Sequence, residues 1–442
     1  MNNIYVNFEN VIGNIKPMHG VCCAPYAPSG GKEQPTIQKF FKEGNIPYCR
    51  LHDCCGTYGG TYFVDISNVF PNFDADENDP ESYDFYYTDE YIRAIQVSGA
   101  EAYYRLGETI EWGSKKITSN PPKDYEKWAR ICEHIIMHYN EGWADGYHYN
   151  LKYWEIWNEP ENPGLSQWTG TMEDFFELYK VATKHLRSRF PDIKLGGYGG
   201  CGFYEVTREN YKFKTFVTWF TEFLSFVKEH NCPLDFYTWH IYTGDEKELL
   251  AHAVYVRETL DKYGFTETES HLNEWNIAAE GSGFKEKHTL EGASFNAAVL
   301  CMLQNTPYVD MAMYYCFSAI GRYNGFLDQN DGTVCPTWYP YVAFGNLYRL
   351  GNATEISYED TGVYATAAKN DKEYGILVAN YKGEEEETVL HVKGIEGKKT
   401  AHVLFIDEKR NLEEEFSFTI EKESDVKIRL PKQTVAYIKV EE

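Results

Sequence analysis

The sequence lacks a CxxC spacing, a glycine-rich loop after its first candidate strand, a long apolar run and any surplus of basic charge. Each absence removes a class. With no stretch approaching the roughly 18 apolar residues that cross a bilayer, no membrane-spanning helix is expected. Forty-two Lys and Arg against 67 Asp and Glu give a net charge of −25. That balance argues against nucleic acid or an anionic membrane as a partner. The start, MNNIYVNFENVIGNIK, has neither the basic opening nor the apolar stretch of a secretory signal. Eleven cysteines, an odd number with adjacent pairs at Cys22–Cys23 and Cys54–Cys55, do not resemble a disulfide framework. A reducing, cytoplasmic compartment is therefore expected. His52 beside Cys54 and Cys55 fits no zinc spacing, so no metal and no cofactor is expected.

What is present is material for a large core. Of 442 residues, 43% are hydrophobic and 16% aromatic, which suits one large domain and one small one. All ten tryptophans and all eleven cysteines lie before residue 340. Up to that point strand-like and helix-like stretches alternate. Candidate strands fall at 18–24, 46–52, 100–107, 152–158, 193–199, 234–242, 270–275 and 309–318. Between them, Phe175, Leu178, Tyr179, Ala182, Leu186 and Phe190 repeat at helical spacing behind a Thr171/Asp174 capping pair, and Pro191 ends the run. A second such stretch covers 214–229. Eight strands alternating with helices predict an α/β fold, a (β/α)8 TIM barrel, over 17–349. Beyond 350, short segments of period-two alternation separated by charged clusters predict a C-terminal β-sandwich over 350–442. Residues 1–16 also alternate, through Ile4, Val6 and Phe8, and are expected to pair with that sandwich.

In such a barrel, reactive groups sit at the C-terminal ends of the strands. Two candidate strands end alike: WNEP with Glu159, and LNEWN with Glu274. By count these are the fourth and the seventh strands, so both acids would face one cleft. A single strand-end glutamate is most often a cap or an ion-pair partner. Two in register, set among tryptophans, are what glycoside hydrolysis requires: one carboxyl to protonate the leaving oxygen, the other to attack the anomeric carbon or activate water.

WEIWNEPEN (154–162) and LNEWN (272–276) resemble glycoside hydrolase family 39, the β-xylosidase and α-iduronidase family of clan A. CRLH (49–52), FFELYK, KLGGYG and LDFYTWHIY (234–242) follow the family's order. The resemblance implies that Glu159 is the general acid/base and Glu274 the nucleophile, with retention of configuration. By the same resemblance Asn158 would bond the sugar 2-hydroxyl, Tyr242 would hold Glu274, and Arg50 would favour its charged form. His52 and His240 would line the subsite of the terminal sugar. Among Trp112, Trp157, Trp239, Trp275 and Trp338, Trp275 is the expected sugar platform, because it adjoins Glu274.

The likeness weakens after the third and eighth strands. RLGETIEW replaces an apolar turn, Asp53 stands where a glycine is common, and Arg322, Tyr323 and Asn324 stand where acids are expected. Arg322 would serve an acidic sugar through a bidentate contact. Bulky loops at 54–87 and 108–122 favour a closed pocket. The expected protein is thus a retaining exo-glycosidase acting on a β-xyloside or another pentoside of an oligosaccharide. An arabinosidase, a uronidase, an endo-glycanase or a non-catalytic carbohydrate-binding protein are the alternatives. Since relatives often assemble, a homo-oligomer is an admitted partner state.

Overall fold

The first strand, β1 (Asn2–Asn14), lies in one sheet, and the next eight form another. Those eight are β2 (Gly20–Cys22), β3 (Tyr48–Leu51), β4 (Glu101–Leu106), β5 (Tyr153–Ile156), β6 (Lys194–Gly200), β7 (Phe236–Tyr242), β8 (Glu269–Asn276) and β9 (Met311–Tyr314). They pair in sequence order, all parallel, and β9 pairs back onto β2, so the barrel is closed. The structure, a computed structural model, describes residues 1–23, 35–54, 62–162, 167–277, 289–317, 325–327 and 333–442.

Strand alternation builds two layers. Cys22, Tyr103, Tyr153, Phe236, Met311 and Met313 form one buried cluster inside the barrel, while their chain neighbours pack outward against the helices. The helix Met172–Arg189 shows how sequence sets that outer layer. The Thr171 side chain accepts from the Asp174 N–H, the Asp174 carboxylate accepts from the Thr171 N–H, and Phe175, Leu178, Tyr179, Ala182 and Leu186 are buried. The helix Phe216–Glu229 buries Phe216, Phe220, Phe223, Leu224 and Val227 in the same way.

The remaining strands are β10 (Asn352–Tyr358), β11 (Val363–Lys369), β12 (Tyr374–Asn380), β13 (Glu387–Lys393), β14 (Lys399–Ile406), β15 (Asn411–Ile420), β16 (Glu423–Arg429) and β17 (Thr434–Glu441). With β1 they make one nine-stranded sheet in the order β15-β14-β17-β12-β11-β10-β1-β13-β16. All neighbours are antiparallel except β1 and β13. Residues from both ends of that order, Ala401 and Val403 with Val426 and Ile428, share a core with Ile4, Val6 and Phe8. The sheet therefore curls around its own core, sandwich-like but hydrogen-bonded throughout. Its outer face, through Leu377, Ala379, Val435 and Tyr437, joins the barrel core beside the helices Leu290–Gln304 and Tyr339–Leu350. This second contact explains why Gly292–Gln304 is buried all round. Among the described residues no helix is long and apolar enough to cross a membrane.

Phe8 is fully buried where the first strand enters this core. Phe8→Ala is expected to cost about 3–5 kcal/mol, read as a lower urea midpoint for the second sheet.

Candidate active site

The chain turns sharply after β5. Trp157 and Glu159 take left-handed φ values of 68° and 44°, and the Glu159 N–H lies within hydrogen-bond distance of the Tyr198 and Gly199 carbonyls. Such conformations cost non-glycine residues roughly 1–3 kcal/mol and persist where the surroundings fix them. Here the strand ends at Ile156, before Trp157, and the turn aims the Glu159 carboxyl at the barrel mouth. Glu274 comes from within β8, on the far side. The two are 7% and 4% exposed.

Arg50, from β3, joins the parts. It is fully buried, and each nitrogen has its own acceptor. Nε donates to Glu155 Oε2 at 2.6 Å, Nη1 to Glu274 Oε1 at 2.7 Å, and Nη2 to Asn158 Oδ1 at 2.6 Å. Burial opposes the charge, but Glu155 and Glu274 together hold the guanidinium well above its ordinary range. The other Glu155 oxygen accepts from Asn273 Nδ2 at 2.7 Å. Tyr242 donates to Glu274 Oε2 at 2.6 Å. Gly199, at φ +66°, leaves the space these groups need: a Cβ there would stand 3.0 Å from Asn158 Oδ1 and 3.3 Å from His240 Nε2.

Glu159 is held by a different set. Oε1 accepts from His240 Nδ1 at 2.8 Å, and Oε2 from Asn162 Nδ2 at 2.9 Å and Gln167 Nε2 at 2.8 Å. Burial would raise this carboxyl, yet the hydrogen bond and charge of His240, with Asn162, bring it below its usual range. His240 Nδ1 is also 3.6 Å from Glu274 Oε2. One oxygen each of Glu159 and Glu274 and a nitrogen of His240 lie within 4.8 Å of one another. By distance these three could ligate a cation. The Arg50 guanidinium already on Glu274 disfavours a second positive charge there.

His52 is 3.8 Å from Glu274 Oε1 and 3.5 Å from Asp53, and burial followed by Arg50 pushes its pKa well down, so it stays neutral. Arg322, with Tyr323 and Asn324, lies outside the described residues, as do Cys55 and the rest of 55–61. Trp275 is a correction. Period-two alternation on β8 turns it away from Glu274, and it is fully buried against Tyr314 and Phe295. Trp157, Trp239 and Trp338 are likewise core, whereas Trp112 is 73% exposed. Cys54, beside His52, donates its thiol to the His52 carbonyl.

Sequence reasoning missed Gln167, which accepts from Asn158 and donates to Glu159. It weighed Glu155 only as a structural counter-charge for Arg50, and it missed Asn273, which holds the other Glu155 oxygen. Gln167 belongs to no motif, whereas Glu155 and Asn273 sit inside WEIWNEPEN and LNEWN. Glu155, a carboxylate in the middle of a buried strand, was the available signal.

A model of glycosyl hydrolases family 39 matches residues 13–320. The chain belongs to glycosyl hydrolase family 39. A β-xylosidase from Caldicellulosiruptor saccharolyticus is 24% identical over 451 residues, covering 92% of this chain and 85% of its own. A β-xylosidase from Geobacillus stearothermophilus is 22% identical over 71% of this chain, which spans 65% of that relative's length. Among solved structures, a glucosidase from Croceicoccus marinus shares the fold at a TM-score of 0.83 and 22% identity, covering 100% of this chain and 99% of its own. An α-L-arabinofuranosidase from Thermotoga maritima does so at 0.70 and 17%, covering both chains fully.

In this family member, Arg50→Met would leave Glu155 and Glu274 as buried carboxylates without a cation. It is expected to cost about 3–5 kcal/mol, seen as a lower denaturation midpoint, and to abolish turnover.

Proposed function

We propose that the protein is a retaining exo-glycosidase that releases a terminal pentose, β-linked xylose first, from short oligosaccharides. The observation that carries this reading is the approach of two buried carboxylates from opposite walls, with oxygens within 4.8 Å. Retaining enzymes place the pair about 5–5.5 Å apart, and inverting ones leave about 6.5–9.5 Å for a water. The β-xylosidase relatives support the choice of sugar.

In the first step Glu159 gives a proton to the glycosidic oxygen while a Glu274 oxygen bonds to the anomeric carbon. The bond to the leaving oxygen breaks and an alcohol departs. In the second step Glu159, now a carboxylate, takes a proton from water. The water oxygen bonds to the same carbon and Glu274 is released. Arg50 and Tyr242 keep Glu274 charged and oriented before attack. Asn158, locked between Arg50 and Gln167, offers its amide to the 2-hydroxyl. The depressed carboxyl of Glu159 suits its role as base. Its acid role is favoured by burial, which opposes the pull of His240 and stabilises the neutral carboxyl. Residues 17–349 form the catalytic unit in this account, and a reducing cytoplasm suits action on imported oligosaccharides.

A panel of nitrophenyl pentosides, hexosides and uronides tests the reading, with release of nitrophenol as the signal. Glu274→Ala is expected to lose about 10,000-fold or more in kcat. Azide should restore turnover, giving the glycosyl azide of inverted configuration. Persistent hydrolysis in that variant would contradict the assignment. Glu159→Ala should lose about 100- to 10,000-fold on alkyl glycosides and far less on nitrophenyl ones, whose leaving groups need no proton.

His240 lowers Glu159, so His240→Asn raises it and keeps the acid protonated to higher pH. The alkaline limb of kcat/KM for an alkyl glycoside should therefore move upward, and a fixed or falling limb would refute the role.

A further inference from the structure

The β3 and β4 side of the barrel mouth carries polar groups that the two-carboxylate chemistry leaves unused. Arg105, on β4, is fully buried. Its Nη2 donates to Asp65 Oδ1 at 2.6 Å and Thr109 Oγ1 at 3.2 Å, but Nε and Nη1 have no partner among the described residues. Asp53 follows β3 at φ 54°. Its Oδ2 accepts from the Tyr315 hydroxyl at 2.5 Å, while Oδ1 is buried and without a hydrogen bond. Burial pushes this carboxyl up to about 7. The Arg105 charge lies close enough to influence Asp53, yet no ion pair joins the two residues.

Strand register places these groups. Leu51 pairs with Tyr104, so His52 stands level with Arg105, and alternation puts Arg50, His52, Tyr103 and Arg105 on the inner side. Two donors and an acceptor left unmet in a buried site are expensive unless a polar ligand meets them.

We infer that Arg105 and Asp53 form the β3–β4 wall of the subsite for the terminal sugar and select a glycone whose 3- and 4-hydroxyls are both free. The inference rests on the glycosidase reading and adds the feature that makes the site take a chain end. The order of groups round the barrel follows the order of atoms round the sugar. The anomeric carbon sits between Glu274 and Glu159, and Asn158, at the end of β5, meets the 2-hydroxyl. Moving on to β4 and then β3, Arg105 donates to the 3-hydroxyl oxygen, and the 4-hydroxyl donates to Asp53 Oδ1. A sugar already linked through its 4-oxygen has no proton to give Asp53. Internal residues of a 1,4-linked chain are therefore rejected.

Nitrophenyl β-xyloside and its 3-deoxy and 4-deoxy forms, assayed with the wild type, Asp53→Gly and Arg105→Lys, test this assignment. Glycine suits the left-handed backbone at 53, so the first variant removes a carboxyl with little risk to folding. On the intact xyloside, Asp53→Gly should lower kcat/KM by about 10- to 100-fold. On the 4-deoxy form it should differ from the wild type by less than about 3-fold, because the missing hydroxyl has already removed that contact. Arg105→Lys should show the same pattern with the 3-deoxy form. Equal losses on all three substrates, or no loss, would overturn the inference.

Calorimetric titration with methyl β-xyloside and its 4-deoxy form separates the subsite from the chemistry. Tighter binding of the intact sugar, abolished by Asp53→Gly, supports the subsite even if no glycoside is hydrolysed. Equal binding of the two sugars, or none of either, refutes it. Failure of the glycosidase reading shows separately, as turnover that survives Glu274→Ala.

Discussion

A charge buried inside a barrel costs more than one ion pair returns, and Arg50 meets that constraint by serving three acceptors at once. Its guanidinium ties Glu155 on one strand, Glu274 on another and Asn158 in the turn between β5 and β6. Glu274 and Asn158 thus share one rigid fork, a geometry that the compact ammonium of lysine does not offer. With Tyr242 on the other oxygen, both oxygens of Glu274 are held by donors. Glu159 is fixed by separate partners, so the two carboxyls are positioned independently and converge only through His240.

The fold supplies the frame for this arrangement. A parallel closed barrel brings eight strand ends to one face, and the inner positions of β3, β4, β5, β7 and β8 carry Arg50, Arg105, Glu155, His240 and Glu274. Gly199 gives up a side chain so that Arg50, Asn158 and His240 can crowd together. The nine-stranded sheet braces the segment after β7, where Tyr381 donates to the Gly244 carbonyl and Lys382 to Glu246. It packs on the helices Leu290–Gln304 and Tyr339–Leu350, beside the strands that close the barrel.

Much of this was legible in the sequence because periodicity follows from burial. All eight barrel strands were readable, as were the two strand-end glutamates, since an acid at the end of an apolar run is costly without a purpose. The limits were physical too. Trp275 adjoins Glu274 in sequence but faces the other way in space, because neighbours in a strand alternate. Gln167 acts from a loop, where no repeat announces it. Arg105 drew no reading from the sequence, and only the missing partners of its Nε and Nη1 mark it as unusual. The curling of the second sheet into one ladder depends on β1 pairing with β13 from across the chain, a contact that local alternation does not encode.

The central claim is that Glu274, presented by Arg50, forms a covalent bond to the sugar. Incubation with an activated 2-deoxy-2-fluoro-β-xyloside, followed by peptide mass spectrometry, tests it most directly. Slowing both steps traps a glycosyl ester, and the account predicts one added sugar on the peptide that contains Glu274. A label on another residue, or a protein that hydrolyses the natural glycoside to the inverted sugar and is never labelled, would contradict it.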